Sequence, residues 1–199
     1  MIKGLYNSFA ERWYRGGSVW FYSDPHFGDE EMKHLRKNYI SDDEQVKRIN
    51  SKLGKNDTII FLGDIGDVSF IKKIKGYKVL VMGNHDAGRS NYEPFFNEIY
   101  EGILIIGPKI VLSHEPIDMR FCFNIHGHDH SGWLKDKNHL NVCAEHIDYT
   151  PISLTQLIKE GRFKDIEDIH RIAIDKRAVK SKQLTDKSLN CCSHSRCGA

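Results

Sequence analysis

The chain has no apolar run near the roughly 18 residues that a membrane-spanning helix needs. Its start, "MIKGLYNSFAERWYRGG", lacks an apolar core followed by a small-residue cleavage site, so no secretion signal is read there. It has almost no excess charge: the net value of +2 gives no ground for a nucleic-acid or membrane-surface partner. Repeats and low-complexity linkers are absent, which leaves the 199 residues as one main domain large enough to bury a core. The five cysteines form no disulfide framework. Cys122 and Cys143 lie in apolar stretches and read as buried thiols, while Cys191, Cys192 and Cys197 crowd around His194 in a spacing that matches no zinc template. These absences together predict a cytoplasmic protein without a membrane partner.

Apolar periodicity supplies the elements. Leu5, Phe9 and Trp13 recur every four residues and predict a short amphipathic helix within an N-terminal extension, 1–17. Buried strands are expected at 18–24, 57–64 and 77–84, alternating with helices over 29–53 (two, broken near Ser41) and 68–76. Strands follow at 101–107, 109–114, 121–127 and 139–145. A helix over 153–161 has Ser153 as its N-cap and Gly161 as its stop. Alternation predicts parallel strands in the first half. The second half reads as mostly hairpins, hence an antiparallel or mixed second sheet. The expected organisation is a main domain over 18–161, a charged C-terminal helix over 162–183 and a disordered tail over 184–199.

The polar residues fall where the apolar strands stop. "SDPHFGD" offers Asp24 and His26, "GDIGD" offers Asp64, "GNHDAG" offers Asn84, His85 and Asp86, "SHEP" offers His114, and "HGHDH" offers His128 and His130. Carboxyl ends of neighbouring strands converge on one crevice, where ligands bind. Aspartate oxygen and imidazole nitrogen suit Zn, Mn, Fe or Ni. This is too many ligands for one tetrahedral ion and enough for two ions bridged by a carboxylate, a pair that clamps an in-line phosphoryl displacement. Gly63, Gly83 and Gly127 each precede a candidate ligand, where the backbone must turn sharply or come close.

The order Asp-x-His, Gly-Asp, Gly-Asn-His-Asp, His, Gly-His-x-His resembles the calcineurin-like metallophosphoesterases, in their small, cap-less bacterial and phage form, through about residue 160. The resemblance implies an α/β four-layer sandwich of two packed mixed β-sheets flanked by helices, with a dinuclear metal site at the strand C-terminal ends. It implies that Asp24, His26 and His130 hold one divalent transition-metal ion (Mn, Fe, Zn or Ni). Asn84, His114 and His128 hold the second, and Asp64 bridges the two. His85 stabilises the transition state or protonates the leaving group, with Asp86 holding its imidazole. One departure is Pro25 between Asp24 and His26, which fixes φ there and removes a donor.

Beside these, single residues have plainer readings. His126 is expected to point away from the neighbours of His128 or to line the layer behind the ligands; His34, His139, His146, His170 and His194 are ordinary surface or core histidines; Asp67 starts a helix; Asp129 belongs to a turn. "HGHDH" is one residue short of the metallo-β-lactamase-fold motif, and "HD" at 85–86 lacks the helical flanks of HD-domain hydrolases. The spacers between blocks are too short for a cap domain, so the site is expected to be open, with Tyr22, Phe27, Arg89, Tyr92 and Arg120 near enough in sequence to line it. The expected substrate is a small phosphoester or nucleotide, diesters ahead of monoesters, with nucleic acid a weaker candidate. The alternative class is a partner-binding scaffold of the same fold without catalysis.

Overall fold

The computed structural model describes residues 5–6, 10–167 and 172–177. The chain divides into two units, Met1–Ile166 and Glu167–Ala199. The second is described only at residue 167 and at 172–177, which are helical. The expected tail over 184–199, with Cys191, Cys192 and Cys197, lies outside the described residues, as do 168–171 and 178–183 of the expected helix over 162–183; residues 162–166 of that helix are turn and bend instead.

Within the first unit, helix α1 is Ala10–Tyr14, followed by β1, Val19–Tyr22. The 29–53 region breaks into α2, Met32–Leu35, and α3, Asp42–Lys52, at Ser41, whose hydroxyl accepts the Glu44 N–H. Asp42, Asp43 and Glu44 in the first turn of α3 suit its positive dipole end. Then come β2, Thr58–Phe61, a 3₁₀ turn over Val68–Lys73 capped by Asp67, and β3, Tyr77–Val81. Strand β4, Glu98–Tyr100, precedes β5, Leu104–Gly107, β6, Ile110–Leu112, and β7, Phe123–His126. The chain continues through β8, His139–Asn141, and β9, Ile152–Ser153, into α4, Leu154–Lys159. Ser153 caps α4 by accepting the Gln156 N–H at 3.1 Å.

Two mixed sheets result, in the orders β4-β3-β2-β1-β9 and β5-β6-β7-β8. In the first, β1 to β4 are parallel and β9 joins antiparallel. The hairpin expectation for the second half needs correcting. Only β5 and β6 pair antiparallel; β6–β7 and β7–β8 are parallel, joined by long loops. Those loops carry turn residues, Pro116 and Asp118 in one and Gly127, Gly132 and Asn138 in the other, which in sequence look like hairpin signals. The alternating pleat sets the layers. Val19, Phe21, Ile60, Leu62, Val79 and Val81 face the second sheet, where Ile106, Ile110, Leu112, Phe123 and Ile125 meet them. The opposite face, with Tyr22, Ile59, Phe61 and Leu80, is covered by Val46, Ile49 and Leu53 from α3 and its end. Each fully buried side chain of this kind contributes about 1.5–3 kcal/mol.

Register carries the fold to the site. Tyr22, Phe61 and Leu80 lie abreast, so Ser23-Asp24 and Leu62-Gly63-Asp64 leave the sheet at one edge. Leu112 and Ile125 lie abreast in the second sheet, so Ser113-His114 and Gly127-His128 leave at its matching edge. The sheets are stitched there: the Ser23 N–H donates to the Val142 carbonyl at 3.0 Å, and the Ser23 carbonyl accepts the Ala144 N–H at 2.9 Å.

Candidate metal centre

At this edge the backbone is bent hard. Asp24, His26, Asp64 and His128 all have positive φ, at 54°, 47°, 53° and 65°. Non-glycine residues pay steric strain in that region, and such strain gathers at functional sites. The bend at Asp24 and His26 is pinned through the intervening Pro25, whose carbonyl accepts from Arg36 Nη1 at 3.3 Å and Gln45 Nε2 at 3.4 Å. Two glycines allow the remaining approach. A Cβ on Gly127 would lie 2.0 Å from Ser23 Oγ and 2.2 Å from Asp24 Oδ2, and one on Gly83 would lie 2.3 Å from Asp64 Oδ1.

The seven expected ligands are brought together in two groups around one carboxylate. Asp24 Oδ1 lies 3.5 Å from His130 Nε2 and 3.9 Å from His26 Nε2. Asn84 Oδ1 lies 2.7 Å from His114 Nε2 and 3.0 Å from His128 Nδ1. Asp64 Oδ2 stands between, 3.7 Å from His26 Nε2 and 3.4 Å from His114 Nε2. Candidate atoms of Asp24, His26 and His130, and of Asp24, Asp64 and His114, lie within 4.8 Å of one another.

The chemistry of these atoms fits cations. Asp24 Oδ1 and His26 Nε2 are buried without a hydrogen-bond partner. His114 Nδ1 faces the Leu62 carbonyl at 2.7 Å, which holds the proton on Nδ1 and leaves a lone pair on Nε2. That lone pair points at the Asn84 carbonyl oxygen, and His128 Nδ1 lies 3.2 Å from the same nitrogen. The His114 Nε2 lone pair facing the Asn84 carbonyl oxygen at 2.7 Å sets acceptor against acceptor, an arrangement that a shared cation satisfies. Burial outweighs the attraction of Asp24 at His26 and lowers its pKa, which favours the neutral, ligating imidazole.

A supporting layer was not legible in the sequence. Arg36 is buried, donates to the Asp24 carbonyl and pairs with Glu145 Oε2 at 3.3 Å; Glu145 Oε1 in turn holds His130 Nδ1. Burial opposes the Glu145 charge, but His130 and Arg36 more than offset it and hold its carboxyl below the usual range. At His130 burial is likewise outweighed, by Glu145 and Asp24, and its pKa is raised. Arg36 sits in a charged stretch that resembles any solvated helix face, and Glu145 follows a strand no differently from a loop acid. Cys143 donates to Asp24 Oδ2 at 3.2 Å. Burial, with Asp24 and Glu145 nearby, pushes its thiol far up, so it stays protonated as a donor beside the site.

Two expectations about neighbours need correcting. Asp86 does not hold the His85 imidazole. Its Oδ2 accepts the N–H groups of Asp64 (3.1 Å) and Gly83 (2.8 Å), and its Oδ1 accepts the Ile65 N–H (2.9 Å) and the Tyr92 hydroxyl (3.0 Å). The carboxylate is fully used in tying two ligand turns together. His85 is exposed at the rim, its N–H on Asp64 Oδ1 at 2.9 Å and its ring 5.8 Å from that of His26. Nor do the five suggested lining residues form a wall. Tyr22 and Phe27 are core, Tyr92 serves Asp86, Arg89 pairs with Glu93, and Arg120 lies over Phe121. His126 is buried with Nδ1 on the Gly127 carbonyl. Asp129 closes a turn by accepting from Ser131, Gly132 and Leu134. Cys143 is buried as expected, while Cys122 is only partly so. Beside the candidate ligands lies a cleft of about 460 Å³ lined by Glu115, Pro116, His128, Asp129, His130, Ser131 and Trp133.

Residues 17–173 match the family model described as calcineurin-like phosphoesterase. The chain is 26% identical over 166 residues to the uncharacterized protein MJ1445 of Methanocaldococcus jannaschii, covering 71% of this chain and 89% of that one. It is 35% identical over 83 residues to the gene 66 protein of Mycobacterium phage L5, 35% of this chain and 40% of that one. Among solved structures, the protein of unknown function AQ665 from Aquifex aeolicus superposes with a TM-score of 0.60 at 26% identity, over 72% of this chain and 99% of that one. No helix among the described residues is long and apolar enough to cross a membrane.

Proposed function

The chain belongs to the calcineurin-like phosphoesterase family, and we propose that it hydrolyses phosphoesters with two divalent metal ions, taking diesters ahead of monoesters. The observation that carries this is Asp64 Oδ2, set between His26 and His114 with one group of acceptors on either side. Asp24, His26 and His130 would hold one ion, Asn84, His114 and His128 the other, and Asp64 both. Ions of the Mn, Fe, Zn or Ni type, when bound there, supply Lewis-acid polarisation of the phosphoryl oxygens and a lower pKa for the attacking water.

The rest is work for this chain's own side chains. Asp86 and Glu145 hold the ligands in place through the turns and rings they bond. His85, at the exposed rim and anchored through its backbone to Asp64, would give a proton to the leaving oxygen as the P–O bond breaks. The diester preference is supported by charge: among the described residues lining the cleft there is no lysine or arginine, and Glu115 adds a negative group. A singly charged phosphodiester suits such a wall better than a dianionic monoester.

The test is turnover of matched mono- and diesters by the chain reconstituted with Mn²⁺ or Zn²⁺, with and without chelator, for wild type and His85→Asn. His85→Asn is expected to keep its metal and to lose roughly 10²–10⁴-fold in kcat/KM on esters with alkoxide leaving groups, far less on nitrophenyl esters, which leave unprotonated. An equal fall on both classes would mean that His85 acts on phosphoryl charge instead. Metal bound without any turnover would favour the scaffold alternative.

A further inference from the structure

Of the exposed large apolar side chains among the described residues, Trp133 alone lines the cleft beside the metal centre, and it is 72% exposed. One exposed apolar side chain is ordinary on a protein surface; its position here is not. Trp133 lines one cleft with His128 and His130, from opposite candidate ligand groups, so a molecule whose phosphoryl group meets those histidines can reach it. The backbone on both sides of Trp133 is fixed. Asp129, itself buried, accepts the Gly132 N–H at 3.0 Å and the Leu134 N–H at 3.2 Å. His146 Nε2 bonds the Asp129 carbonyl at 3.0 Å, so the turn is held from beneath as well. The turn that carries the indole is thus set before a ligand arrives, which reduces the ordering cost of binding.

We infer that Trp133 is a stacking platform for a nucleobase carried by the phosphoester substrate, an inference that rests on the hydrolase reading above. The cleft volume of about 460 Å³ is in the range of small-ligand sites. Its lining is too polar for an acyl chain: apart from Trp133 and Pro116 it consists of His128, His130, Glu115 and short polar residues. A flat ring takes the indole face, and Glu115 offers an acceptor for amino or hydroxyl hydrogens of a nucleoside. Stacking on tryptophan tolerates every base, so the site selects for a base without choosing its identity.

Two measurements test this. The first compares kcat/KM on a dinucleoside monophosphate and on its abasic counterpart. The ratio between them is expected to fall roughly 5- to 100-fold in Trp133→Ala and less in Trp133→Phe, which keeps a ring. The second needs no turnover: adenosine 5′-monophosphate is titrated against the intrinsic tryptophan fluorescence. Quenching is expected in the wild type, absent in Trp133→Phe, and absent with ribose 5-phosphate. An unchanged ratio, or equal quenching by ribose 5-phosphate, overturns the inference. Quenching by the nucleotide in a protein that turns over no ester would instead overturn the hydrolase reading and leave the base site standing. A short oligonucleotide that competes at lower concentration than the mononucleotide assigns the base to a strand end, and otherwise to a free nucleotide.

Discussion

At the residue scale, Asp64 and Asp86 show how two aspartates at neighbouring strand ends divide the work. Asp64 keeps Oδ2 free of backbone donors and turns it between His26 and His114; Asp86 spends both oxygens on four donors. Asp64→Asn is therefore expected to lose both ions, because one oxygen serves both groups, whereas Asp24→Asn loses the ion held with His26 and His130. Elemental analysis of the reconstituted variants checks this; equal metal content in the two would refute the bridge. Asp86→Asn places an amide where only acceptors fit. Whichever oxygen is replaced, at least one backbone N–H loses its partner, and the variant should unfold with about 1–3 kcal/mol less stability in urea. A side chain that merely oriented His85 would leave stability nearly unchanged. The sequence made the candidate ligands legible because each follows an apolar strand within two to four residues. It misplaced Asp86 because adjacency to His85 says nothing about which way a turn aims the next carboxylate.

At the element scale, the site is a product of register and close approach. The strands were visible from their apolar runs, yet β4 went unseen, since three residues of the pattern Glu98-Ile99-Tyr100 carry too little periodicity to separate from a loop. The pairing of β6, β7 and β8 was also misjudged. Parallel neighbours without an intervening helix leave no period in the sequence, only loops. The glycines, by contrast, were rightly singled out, and the structure gives the reason: the end of β7 passes against the end of β1 with no room for a methyl group. In Gly127→Ala that methyl would meet Ser23 and Asp24 at 2.0 and 2.2 Å. The buried Ser23 and Asp24 side chains must give way, at about 1–3 kcal/mol. The expected outcome is a folded variant with weakened metal binding, measured by calorimetric titration with Mn²⁺. An alanine variant that binds metal as the wild type does would show that the close approach is incidental.

At the scale of the whole molecule, the two sheets are held together by two kinds of contact with different demands. The buried apolar layer between them needs nothing further. The edge where Ser23 meets Val142 and Ala144 lies directly over the ligand cluster, and there the carboxylates of Asp24 and Asp64 approach within one group with His114. Buried like charges and facing acceptors oppose closure of that edge. Bound cations would reverse the sign, turning the same atoms into a clamp between the ends of β1, β2, β6 and β7. Metal should then stabilise the fold in proportion to its occupancy of the native state. At a free concentration of 100 times the dissociation constant the gain is about 2.7 kcal/mol for each ion bound. For a domain of this size each kcal/mol moves the midpoint by roughly 2–4 °C, so Tm should rise by about 5–11 °C for each ion bound on adding Mn²⁺ or Zn²⁺ and fall back with chelator. Asp64→Asn should remove most of that rise while starting from a metal-free Tm equal to or above the wild type's, since it deletes one of the opposing charges. A metal-free Asp64→Asn protein well below the metal-free wild type would mean that the carboxylate holds the edge together on its own, and that the cluster is not a repulsive site waiting for cations.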